Sequence, residues 1–181
     1  MLRLLLNANF VGGDNHIILG YLRGDGEPDR TEEVRQDIDV FLRECRKEYK
    51  KAGLEFKYVH VMEIGERGAR HHHLVVNHID VAILQKCWNK VYDKHSEIKA
   101  YKLDDTGNYA KLASYLIKYT DKHRKKEDGA LQKKRWSRSK NLKVPEPQIE
   151  VISERSTFQT KGDKVLHHFK GEIYGNQYRY S

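Results

Sequence analysis

A chain of 181 residues is long enough for one domain with a buried core. Its 38% hydrophobic and 10% aromatic content excludes wholesale disorder, and no stretch stays apolar for the length of a membrane span. The net charge of +8 points towards a polyanionic partner.

In chain order, residues 2–7 and 16–22 read as strands, separated by turn material at Gly12, Gly13 and Asp14. The N-terminal leucine run is too short for a signal peptide's apolar core. A loop over 24–29 leads into a helix, with Asp29 as cap and Glu32 completing a capping box. Val34, Ile38, Phe41, Leu42, Cys45 and Tyr49 then recur at spacings of three and four, predicting an amphipathic helix that Gly53 ends. Residues 55–63 and 70–77 read as two strands joined by a turn, antiparallel by default. Helices are expected over 80–94 and 108–123, with a strand over 98–103 between them. Cys45 and Cys87 both fall in helical stretches and frame neither a disulfide scaffold nor a zinc knuckle, so a cytoplasmic location is expected. This succession favours an α+β fold, a central antiparallel sheet flanked by helices. Pro145 and Pro147 mark a break between a domain over 1–145 and a C-terminal extension over 146–181, with a late strand or hairpin within 165–180.

The charge is unevenly placed. From Ile117 to Lys143 there are 11 basic and 3 acidic residues, and the remainder balances at 23 against 23. An excess confined to one segment fits a polyanion contact beside a site, although a solvated basic loop has the same composition.

Alternate residues of a strand face the same way, so His71 and His73 project together while His72 points to the opposite face. Two imidazoles on one face can share a divalent ion, and a carboxylate would complete the set. Glu63, at the end of the partner strand, is the first choice for that third ligand, with Glu66 in the turn as the reserve. The hairpin register decides between them. Two half-buried strand histidines with no metal are the plain alternative.

The segment from Lys111 to Lys122 supplies a second signal. With Lys111 at zero on a helical wheel, Tyr115 falls at about 40°, Lys118 at about −20° and Lys122 at about 20°. Tyr109, Leu112, Ala113, Leu116 and Ile117 occupy the opposite arc. Tyr115 therefore sits in a lysine stripe, and Tyr119, at about 80°, lies on its border. Cations favour the phenolate and can hold a phosphate, so the stripe suits a tyrosine that attacks a phosphodiester.

Taken together, these residues resemble the HUH endonucleases (His-hydrophobic-His), and within them the rolling-circle replication initiators of small phages and plasmids. Glu63-Ile-Gly65 followed by Gly68-Ala-Arg70-His-His-His73 is similar to the family's E-x-G … G-R-x-H-x-H metal motif. Tyr115-Leu-Ile-Lys118-Tyr119-Thr-Asp-Lys122 is similar to its Y-x-x-K-Y-x-x-K nucleophile motif, and the segment from Lys134 to Leu142 to a basic stretch that follows it. The resemblance spans about residues 15–145. It implies an RRM- or ferredoxin-like sheet with the metal histidines on a middle strand and the tyrosine helix across them. It implies His71, His73 and Glu63 as ligands of Mn²⁺ or Mg²⁺, Tyr115 as nucleophile, Lys118 as phosphate contact and Tyr119 as a second nucleophile. The expected substrate is single-stranded origin DNA, contacted also by Lys111, Lys122, Lys125, Lys126, Lys133, Lys134, Arg135, Arg138 and Lys140. Two departures stand out. His72 is less hydrophobic than the usual middle residue, and no ATP-binding loop follows, so a host helicase and polymerase are expected partners. A single-strand DNA transposase of the same chemistry, or a non-catalytic nucleic-acid-binding domain, are the rival readings.

Overall fold

Leu2–Asn9 forms an α-helix (α1), where the sequence pattern predicts a strand. The segment has no β-branched residue, and its buried leucines are Leu2, Leu5 and Leu6, whereas Leu4 is 42% exposed. That is helical spacing, because a strand would turn Leu2, Leu4 and Leu6 to one face. The high helix propensity of leucine then prevails.

The structure, a computed structural model, describes residues 1–21, 31–64, 69–92, 98–124, 136–146, 169–173 and 176–180. After α1 come β1 (Asn15–Gly20), α2 (Thr31–Lys51), β2 (Tyr58–Ile64), β3 (Arg70–Val76), α3 (Val81–Val91), β4 (Lys99–Lys102), α4 (Ala110–Arg124) and β5 (Ser137–Arg138). Local chemistry sets several boundaries. Gly53 adopts φ 70° just after α2, and the Asp80 carboxylate caps α3 by accepting from the Ala82 amide at 2.9 Å. The expected Asp29 cap lies outside the described residues.

The chain divides into two compact units, Met1–Pro145 and Glu146–Ser181. In the first, an antiparallel five-stranded sheet runs in the order β4-β1-β3-β2-β5. With the succession β1–α2–β2–β3–α3–β4, this is the ferredoxin-like pattern within an α+β fold. The two-residue edge strand β5 is not foreseen from the sequence. In the second unit, β6 (Phe169–Ile173) and β7 (Asn176–Tyr180) pair as an antiparallel hairpin.

The sheet separates two cores. On one side α2 and α3 bury Phe41, Cys45, Tyr49, Leu84 and Trp88 against Ile17, Leu19, Leu74 and Val76. On the other, α1 and α4 bury Leu5, Leu6, Ala113 and Leu116 against Val59, Val61 and Val75. Among the described residues, no helix is long and apolar enough to cross a membrane.

The α2/α3 side also holds a hydrogen-bonded polar chain. His60 Nδ1 lies 3.2 Å from Ser137 Oγ, His60 Nε2 lies 3.0 Å from His72 Nδ1, and His72 Nε2 lies 3.1 Å from the Tyr21 hydroxyl. Burial, reinforced by the neighbouring His73, pushes the His60 pKa down to about 3, and burial also lowers that of His72. Both rings are therefore neutral in the folded protein.

Two outcomes follow from this packing. Leu6→Ala should lower unfolding stability by about 2–5 kcal/mol, whereas Leu4→Ala should stay within about 0.5 kcal/mol, as denaturant titration would read. Equal losses would restore the strand. For His60, the depressed folded pKa means its stability contribution is complete above about pH 6.5. It is then lost on acidification towards pH 3, at up to about 1.4 kcal/mol per pH unit. Stability should therefore fall between pH 7 and 5 with proton uptake on unfolding, and a flat profile would contradict a neutral buried His60.

Candidate nucleic-acid and metal site

Residues paired across an antiparallel sheet share a face, and the register assigns the α1/α4 side row by row. Gly20, His71 and Glu63 form one row, and Ile18, His73 and Val61 the next, extended by Lys99 of β4. His16, Val75 and Val59 form the third, flanked by Tyr101 of β4 and Arg138 of β5. His71, His73 and Glu63 thus share one face, and the fully buried His72 faces α2 and α3.

His73 is the hub. Its Nε2 lies 2.6 Å from Glu63 Oε2, a pair with side-chain exposures of only 4% and 11%. Its Nδ1 lies 3.4 Å from His16 Nε2, and the two rings stack at 5.6 Å. Burial, then the proximity of His73, lowers the His16 pKa to about 4, so its imidazole is neutral with a lone pair to offer. His71 is half-buried opposite Gly20. A Cβ at Gly20 would stand 3.3 Å from His71 Cδ2, so the glycine leaves room for the ring. Glu66, the reserve ligand, lies outside the described residues.

Helix α4 lies over this face. Its inner side buries Tyr109, Ala113 and Leu116, while Lys111, Tyr115 and Lys118 are exposed along its outer side. Tyr115 is 38% exposed, yet its ring stands edge-on to His73 at 5.6 Å and to His16 at 6.1 Å. The structure therefore brings together Glu63, His73, His16 and Tyr115, with Lys111 and Lys118 on the Tyr115 stripe. The side chains of Tyr119 and Lys122, and the whole of Lys125, Lys126, Lys133, Lys134 and Arg135, lie outside the described residues. Arg138 is half-buried at the β5 edge, and Lys140 is exposed beyond it.

His16 is the member that sequence reasoning misses. Its only signal is its place in a predicted strand, and its role as neighbour of His73 depends on the β1–β3 register.

The donor types fit a first-row divalent ion: imidazoles from His71, His73 and His16 with the Glu63 carboxylate, all on one sheet face. Among the described residues, no three His, Cys, Asp or Glu side chains already converge as a metal cage. His73 is hydrogen-bonded to Glu63 instead. Ion binding would exchange that hydrogen bond for two coordination bonds.

Comparison with known proteins adds one finding. A family model for replication-associated proteins of the ORF2 group matches residues 19–124, which is 106 of the 181 residues and contains Glu63, His71, His73 and Tyr115. No curated protein and no solved structure matches the chain significantly. With more than half its length matched, the chain belongs to this ORF2-group family of replication-associated proteins.

Proposed function

We propose that the protein initiates rolling-circle replication as an HUH-type, metal-dependent enzyme that nicks and rejoins single-stranded origin DNA. The observation that carries this reading is an exposed phenol, Tyr115, set 5.6 Å ring to ring from His73, which is itself bonded to Glu63. Membership of a replication-associated family supports the choice of DNA as substrate.

In this reading the Tyr115 Oη attacks the scissile phosphorus and the bond to the 3′ oxygen breaks. The phenolic proton ends, on balance, on the departing 3′ oxygen. The 5′ phosphate stays on Tyr115 as a phosphotyrosine diester, which keeps the phosphodiester energy for rejoining by the reverse attack. Lys111 and Lys118 share the Tyr115 stripe and hold the phosphate whose charge grows in the transition state. His71, His73 and Glu63, with His16 beside them, would hold Mn²⁺ or Mg²⁺. The ion supplies polarisation of the phosphate oxygens when bound. Tyr119, one turn on, is the candidate second nucleophile, and a host helicase and polymerase would extend the fork.

Incubation with single-stranded DNA containing the origin, in the presence of Mn²⁺, should give a covalent adduct on a denaturing gel, and chelation should abolish it. Tyr115→Phe should remove the adduct and leave DNA affinity within about twofold, since one hydroxyl contributes little to phosphate binding. A normal adduct from that variant would move the nucleophile to Tyr119, and no adduct from the wild type would leave a non-catalytic binder. Separately, neutralising Lys125, Lys126, Lys133, Lys134 and Arg135 should weaken binding. It should also reduce the salt slope by about 0.7 for each phosphate that is no longer neutralised. An unchanged slope would remove that segment from the interface.

A further inference from the structure

Beyond the nucleophile and the metal candidates, the same face carries an aromatic ring that the proposed chemistry does not use. Tyr101 lies on β4, the edge strand of the sheet, and is 54% exposed. Its ring stacks on His16 at 5.9 Å with an interplanar angle of 29°. His16 in turn lies 6.1 Å from Tyr115, so the Tyr101 and Tyr115 rings are within about 12 Å of each other. Lys99 shares the Tyr101 face one row nearer His73 and is exposed.

We infer that Tyr101 is a stacking platform for a nucleobase of single-stranded DNA, one or two nucleotides from the phosphate presented to Tyr115. This deepens the proposed function and rests on that reading for its substrate. A polar edge strand gains little from leaving a tyrosine more than half open to water, whereas a base has a flat apolar face to lay on it. His16 holds one side of the ring and so fixes its plane. Lys99 on the strand, with Lys111 and Lys118 on α4, offers cations to the phosphates on either side. Stacking aromatics interleaved with cations suit single strands, because in a duplex the base faces are already covered. Such stacking tolerates any base, so Tyr101 would add affinity and register without reading sequence.

The test compares a twelve-nucleotide oligothymidylate with a strand of the same length made entirely of abasic residues, binding being read by fluorescence anisotropy. Tyr101→Leu keeps an apolar cover over His16 but removes the π face. It should weaken oligothymidylate binding about five- to a hundredfold, the range of one base–aromatic stack, with the salt slope unchanged. Binding of the abasic strand should be the same in both proteins, and Tyr101→Phe should stay within about twofold of wild type on either strand. Unchanged oligothymidylate binding by Tyr101→Leu would overturn the inference. So would an equal weakening on both strands, which would make Tyr101 a structural or phosphate-contacting residue. The adduct assay separates this result from the nicking proposal. A wild type without adduct but with a base-dependent Tyr101 effect keeps the platform and loses the chemistry. A wild type with adduct and no Tyr101 effect does the reverse.

Discussion

The register of β3 between β1 and β2 is the constraint on which the site depends. Glu63 stands opposite His71, and Gly20 stands opposite it on the other side. A one-residue slip would turn His71 and His73 into the α2/α3 core and His72 towards Tyr115. Several polar contacts oppose the slip. The Tyr49 hydroxyl donates to the Asn77 carbonyl, and the Asn77 side chain accepts from the Lys57 amide at 2.8 Å and donates to the Glu55 carbonyl at 2.9 Å. Asp14 holds the other side of β3 through the His78 amide at 2.8 Å. The His60–His72 hydrogen bond clamps β2 to β3 from beneath, where an unpaired imidazole would be costly.

A ferredoxin-like sheet with two crossover helices covers one face and leaves the other to be closed. Here α1 and α4 close it, and the amphipathic division of α4 decides how. Ala113 and Leu116 seal α4 onto Val59, Val61 and Val75, which leaves the opposite side of the helix, with Tyr115 and its lysines, open to solvent. Tyr115 is thus placed at the boundary between the covered sheet and water, beside His73 and His16. A substrate strand could approach there without the core opening. The same division explains why Tyr101, beyond the helix on the sheet edge, is left uncovered.

Much of this was legible in the sequence because it depends on period alone. Alternation puts His71 and His73 on one face, and a 100° wheel puts Tyr115 among lysines; both statements survive folding because they are local. The misreading of residues 2–7 as a strand has a local cause, since a leucine-rich run carries no alternation and its helical spacing is short. What the sequence could not disclose depends on long-range pairing. His16 reaches His73 across 57 positions, and β5 reaches β2 across about 80. The choice of Glu63 as neighbour of His73 likewise waits on the hairpin register. Nothing in a two-residue edge strand such as Ser137–Arg138 marks it as a strand until β2 offers it a free edge.

The central claim is that the phenol of Tyr115 carries the cleaved DNA. Its most direct test is to digest the covalent adduct formed with Mn²⁺ and single-stranded origin DNA, and to locate the modified residue by tandem mass spectrometry. A nucleotide-bearing peptide fragmenting to phosphotyrosine at Tyr115 is the expected result. Modification at Tyr119 alone, at Tyr101, or at a residue outside α4 would contradict it.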